Sequence, residues 1–90
     1  MERKRVHVVV HGIVQGVFFR GTLADHARRR GVAGWVRNTL EGTVEAELEG
    51  PAEAVDALVA FCHEGPPAAV VERVEVRDIP VTGERGFTIR

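Results

Sequence analysis

Gly12-Ile13-Val14-Gln15-Gly16-Val17-Phe18-Phe19-Arg20 follows the apolar run Val8-Val9-Val10 and precedes residues with helical spacing. It reads as the exit of a strand, a turn on a glycine, and an arginine delivered to the start of a helix. A loop of that kind aims several backbone N–H groups at one point. With a helix N-terminus behind it and a guanidinium beside it, it suits a phosphate. A second stretch, Gly34-Trp35-Val36-Arg37-Asn38, closes a strand on a carboxamide. That group orients a water but does not readily gain or lose a proton. Together the two stretches point to phosphoryl chemistry carried out by positioning.

Working outward, residues 5–11 alternate, with Val6, Val8 and Val10 on one face and His7, Val9 and His11 on the other. This predicts a strand with one buried face. Beyond the loop, Phe19, Leu23 and Ala27 fall at helical spacing, and Gly31 is placed to end that helix. Residues 33–39 predict a second strand and Leu40-Glu41-Gly42 a turn. Residues 43–49 predict a third strand, with Val44, Ala46 and Leu48 inward and Glu45, Glu47 and Glu49 on a solvated face. Pro51 suits a first helical turn, and Val55, Leu58, Val59 and Cys62 stripe a second helix that Gly65-Pro66-Pro67 breaks. Residues 70–78 and 87–90 supply a fourth strand and a short final one. The order is βαββαβ plus a short final strand. One-faced strands with two amphipathic helices give a two-layer α+β sandwich, an antiparallel sheet covered on one face.

Ninety residues form one domain, 1–90, large enough for a core without metal or disulfide staples. A formal net charge of −1 gives no push toward nucleic acid or an anionic membrane. Cys62 is the only cysteine, so no internal disulfide can form and a cytoplasmic setting follows. On its apolar stripe it reads as a small buried hydrophobe. The apolar run Val8-Val9-Val10 is too short for a signal-peptide core or a membrane span.

Val10, Gly12, Val14, Gln15, Gly16, Val17, Phe19 and Arg20, then Gly34 to Asn38, then Glu41 and Gly42, resemble the signature of the acylphosphatases. The motifs cover roughly the first half of the chain, and the later strand and helix pattern also suits that family. The resemblance implies a ferredoxin-like fold, in which strands one and two run parallel with strand three between them. Their C-terminal ends then share one sheet edge, separated by roughly 10 Å, two interstrand spacings. The loop ending at Arg20 and the residue Asn38 would both lie there.

The resemblance further implies an enzyme that hydrolyses acyl phosphates to a carboxylate and inorganic phosphate. A carboxylate leaves without protonation, and the loose transition state spreads charge over the equatorial oxygens, so placement and electrostatics suffice. In the assignment that the family suggests, backbone N–H groups of Gln15, Gly16, Val17, Phe18, Phe19 and Arg20 bind the phosphoryl oxygens. The Arg20 guanidinium grips two of them as a fork. Asn38 holds the attacking water, and the phosphate itself takes the proton. Inorganic phosphate is then product and competitive inhibitor. A terminal carboxylate at Arg90 could pair with a site arginine.

No metal or other cofactor is expected. His7 and His11 on one strand lie about 13 Å apart, too far to share an ion, and His26 and His63 have no spaced partner. No Walker lysine-serine pair follows the loop, which argues against nucleotide–magnesium chemistry. The expected partner is a small acyl phosphate, with no nucleic acid and no membrane, and the expected state is a monomer. Two other readings remain. One is a phosphate or carbamoyl-phosphate recognition module without significant turnover. The other is an RNA-binding ferredoxin-like module, which would need exposed aromatics on a basic sheet face; here that face offers glutamates and there is no tyrosine.

Overall fold

The computed structural model describes residues 2–90. Its elements are β1 (Arg3–Ile13), α1 (Phe19–Arg29), β2 (Ala33–Asn38), β3 (Val44–Pro51), α2 (Ala52–Glu64), β4 (Val70–Ile79) and β5 (Phe87–Ile89). The sheet runs β4-β1-β3-β2-β5. Because β3 pairs antiparallel with both β1 and β2, those two strands are parallel to each other and end on the same sheet edge. This is the ferredoxin-like arrangement that the resemblance implies, and the two-layer sandwich that the element pattern predicts. One pair departs from the expected antiparallel sheet: β5 joins β2 in parallel, Gly34 opposite Phe87 and Val36 opposite Ile89. Sequence periodicity carries no information on which edge a three-residue strand will join.

Alternation decides which side chains meet the helices. Val6, Val8 and Val10, Val44, Ala46 and Leu48, and Val36 form one cluster with Phe19, Leu23, Ala24 and Ala27 of α1 and Val55, Leu58 and Cys62 of α2. Truncating a fully buried member such as Phe19 to alanine should cost about 3–5 kcal/mol. Cys62 is sealed in this layer, and burial pushes its thiol up to about 12. Pro51 sits one position before the expected helical turn, as the last residue of β3 and the N-cap of α2.

The opposite face is less solvated than its glutamates suggest. Glu49 is fully buried, because residues 82–84 fold over that end of the sheet and Arg5 reaches across to it. Arg5 pairs with Glu47, Glu49 and Glu84 at 2.7, 2.8 and 2.9 Å. Farther along, Glu45 accepts from Arg37 and pairs with His7.

Two glycines bring the site elements into place. Gly12 lies where the β1–β4 register shifts, at φ +130°, and a Cβ there would collide with the Val70 carbonyl oxygen. A bulge at that point bends the strand and turns the chain into the loop. β1 therefore runs through Gly12 to Ile13, two residues beyond the alternating segment. Gly34, at φ +135°, faces the Glu47 carbonyl in the same way, so only glycine lets β2 approach β3 there.

Candidate active site

The loop between β1 and α1 has the geometry of an anion cradle. α1 begins at Phe19, and its N-cap, Phe18, is held in the left-handed region at φ 65°. Among the described residues it is the one non-glycine residue with positive φ. That turn lets the chain reverse into the helix. None of the backbone N–H groups of Gly16 to Arg20 donates to a backbone or side-chain acceptor among the described residues. A helix N-terminus with free donors is a ready anion site. A cleft of about 340 Å³ opens on it, lined by Gly16, Phe18, Phe19, Arg20, Gly21 and Ile89.

Arg20 is half-buried in this cleft, and among the described residues no carboxylate lies within ion-pair distance of it. Among the described residues the Arg90 end makes no such pair. Instead its N–H bonds the Val36 carbonyl at 2.8 Å and its guanidinium lies 4.4 Å from the centre of the Trp35 ring. Trp35 is thereby packed beneath an arginine and beside the edge of His7.

The other expected site residues divide between the cleft and its supports. Val17 packs against the core. Gln15 contributes through its side chain: its amide nitrogen donates to the carbonyl oxygens of Thr39 at 2.8 Å and Thr43 at 2.9 Å. Both partners are acceptors, which fixes the orientation of the amide. The loop is thus tied to the turn that follows Asn38. That turn is itself closed, with Thr39 N–H donating to the Thr43 carbonyl at 3.0 Å and the two hydroxyls 2.6 Å apart.

Asn38 ends β2 opposite Val44, at the same sheet edge as the loop, though it does not line the cleft itself. Its Oδ1 is buried and has no hydrogen-bond partner. Groups of three or more histidine, cysteine, aspartate or glutamate side chains that could hold a metal are absent among the described residues.

The acylphosphatase family model matches residues 6–89. The chain belongs to the acylphosphatase family. An acylphosphatase of Rubrobacter xylanophilus is 58% identical over 99% of this chain and 82% of the relative. A solved acylphosphatase structure from Coxiella burnetii superposes with a TM-score of 0.93 at 36% identity, covering 98% of this chain and 93% of that one. HypF from T. kodakarensis is similar over 97% of this chain but only 12% of its own length, at a TM-score of 0.82 and 32% identity. The protein is an acylphosphatase enzyme, and its substrate is a small acyl phosphate.

Within the acylphosphatase frame, the residues that sequence reasoning missed are Thr39 and Thr43. The two threonines bracket a glycine-containing turn beside the carboxamide, but the tie to the loop runs through their backbone carbonyls, which residue identity does not display. Their partner, the Gln15 side chain, lies 24 residues from Thr39 in the chain.

Proposed function

We propose that acyl-phosphate hydrolysis runs on Arg20, the loop N–H groups and a water held by Asn38, with no metal. The phosphoryl oxygens sit on the N–H groups of Gln15 to Arg20, and the guanidinium forks onto two of them. Water oxygen attacks phosphorus, the bond from phosphorus to the carboxylate oxygen breaks, and the carboxylate leaves with the electron pair. The proton of the attacking water passes to a phosphoryl oxygen. Gln15 acts one step back, holding the loop against the Thr39–Thr43 turn so that phosphate and water stay in line.

The observation that carries this reading is the unpartnered Asn38 Oδ1. A buried acceptor without a donor costs on the order of 1–3 kcal/mol. In this reading the attacking water donates to Oδ1 as it enters with the substrate, and is held as the nucleophile at the same sheet edge as the phosphate loop. Asn38→Ala, assayed in excess chelator with benzoyl phosphate, should lose at least about a hundredfold in turnover. Inhibition by inorganic phosphate and the melting temperature should nearly persist. Loss of phosphate binding together with turnover would make Asn38 a ligand-binding residue, and loss of stability alone would leave it a turn residue. Wild-type activity that vanishes in chelator and returns with added metal would overturn the metal-free mechanism.

We also read the protein as a cytoplasmic monomer. Among the described residues no helix is long and apolar enough to cross a membrane. The buried Cys62 has no partner for a disulfide within the chain. The edge strand β4 carries Glu72, Arg73, Glu75, Arg77 and Asp78, a charge pattern that discourages pairing with a second sheet.

A further inference from the structure

The cleft at the phosphate loop has a part that phosphate does not use. Among the residues that line it, Arg20 brings the one charged side chain, and Phe18 and Ile89 bring the exposed apolar ones. Phe18 is 84% exposed and Ile89 44% exposed. Phe18 also holds the left-handed backbone conformation, where an aromatic residue is strained by about 1–3 kcal/mol and a glycine or asparagine is not. A bare aromatic ring on a strained backbone, at the mouth of a catalytic cleft, is unfavourable twice over unless something covers the ring.

We propose that Phe18 and Ile89 form the acyl subsite, so that the enzyme selects flat or bulky apolar acyl phosphates over acetyl phosphate. This rests on the reading above, in which the loop and Arg20 hold the phosphoryl group. An acyl phosphate anchored by that end must project its acyl group away from the guanidinium, over the walls that remain. Those walls are the side chains of Phe18 and Ile89. A benzoyl group can stack on or meet the edge of the Phe18 ring, whereas an acetyl group covers little of it. The cleft lies at the small end of ligand-site volumes, which suits one phosphoryl group and one compact acyl group. Phe18 and Ile89 determine specificity; the reacting atoms are handled by Arg20, the loop and Asn38.

The test compares kcat/KM for benzoyl phosphate and acetyl phosphate in the wild type, Phe18→Ala, Phe18→Leu and Ile89→Ala, with melting temperatures and inhibition by inorganic phosphate measured alongside. The ratio between the two substrates cancels general damage to the loop. It should fall about five- to tenfold in Phe18→Ala, the scale of covering part of an aromatic face. Ile89→Ala should lower it less, Phe18→Leu should recover part of it, and the change should appear in the KM for benzoyl phosphate. A ratio that stays at the wild-type value in both alanine variants overturns the subsite, as does an equal loss on both substrates. If inorganic phosphate failed to compete in the wild type, the phosphate-loop reading would fall. Normal competition with an unmoved ratio would remove the acyl subsite alone.

Discussion

Glu49→Gln replaces a buried carboxylate by a group of the same shape, and the structure sets the size of the effect. Glu49 Oε1 accepts from Arg5 at 2.8 Å and from the Thr82 N–H and hydroxyl at 3.0 Å each; Oε2 accepts from the Gly83 N–H at 2.7 Å. Burial works to raise the carboxyl pKa, but the donors of Thr82, Arg5 and Gly83 outweigh it and hold the group down to about 2, from an ordinary 4.5. At about 1.36 kcal/mol per pKa unit, the charge contributes roughly 3 kcal/mol at neutral pH. Because the folded value is depressed, that contribution is complete above about pH 5 and fades as pH falls toward 2.

Glutamine loses the contribution at every pH. Its amide nitrogen must also confront one of the donors, most simply Gly83 N–H. Arg5 keeps Glu47 and Glu84, so it is not left as an unpaired buried charge. Urea unfolding of both proteins should show a gap of about 3 kcal/mol at pH 7, narrowing to roughly 1 kcal/mol at pH 3. Taking the difference between the two proteins cancels the contributions of carboxylates common to both, including Glu45 and Glu75, whose pKa values are also lowered. A gap of the same size at both pH values would refute the electrostatic account and make the loss one of packing. The segment pinned by Glu49 leads directly into β5, so the variant should also loosen the Ile89 wall of the cleft.

Arg20→Lys should restore little of the activity lost in Arg20→Ala, because an ammonium cannot reproduce a two-pronged grip; near-normal turnover in steady-state assays of the lysine variant would show that a point charge suffices. Gln15→Met keeps the bulk and removes two hydrogen bonds worth about 1 kcal/mol each, so the melting temperature should fall on the order of 10 °C. Turnover in that variant should drop about tenfold with apparent phosphate affinity less affected, and an unchanged rate constant would remove Gln15 from the positioning chain.

What could be read from the sequence was local. Alternation at Val6, Val8 and Val10 and helical spacing at Phe19, Leu23 and Ala27 depend on neighbours a few residues away, and the structure has these residues in the core. The residues Arg20 and Asn38 stood out because a guanidinium and a carboxamide have distinctive chemistry. Glu49 did not, since its burial depends on a segment that begins 33 residues later at Thr82 and folds over it. The left-handed turn at Phe18 was equally hidden, because aromatic residues carry no signal for positive φ.

The tie between the two halves of the site was hidden for a different reason. Gln15 fastens the loop to the Asn38 end of β2 through the carbonyl oxygens of Thr39 and Thr43. Every residue has a carbonyl, so the acceptors leave no trace in residue identity, and only the donor is visible as a glutamine in a loop. A sequence therefore displays the groups proposed to meet the substrate more readily than the groups that would keep them in register. In this protein the second set is one amide, two backbone oxygens and a pair of threonine hydroxyls. Its importance in the proposed mechanism follows from geometry: an in-line attack needs phosphate and water fixed relative to each other, and the groups proposed to hold them, the loop after β1 and Asn38 of β2, stand on different elements.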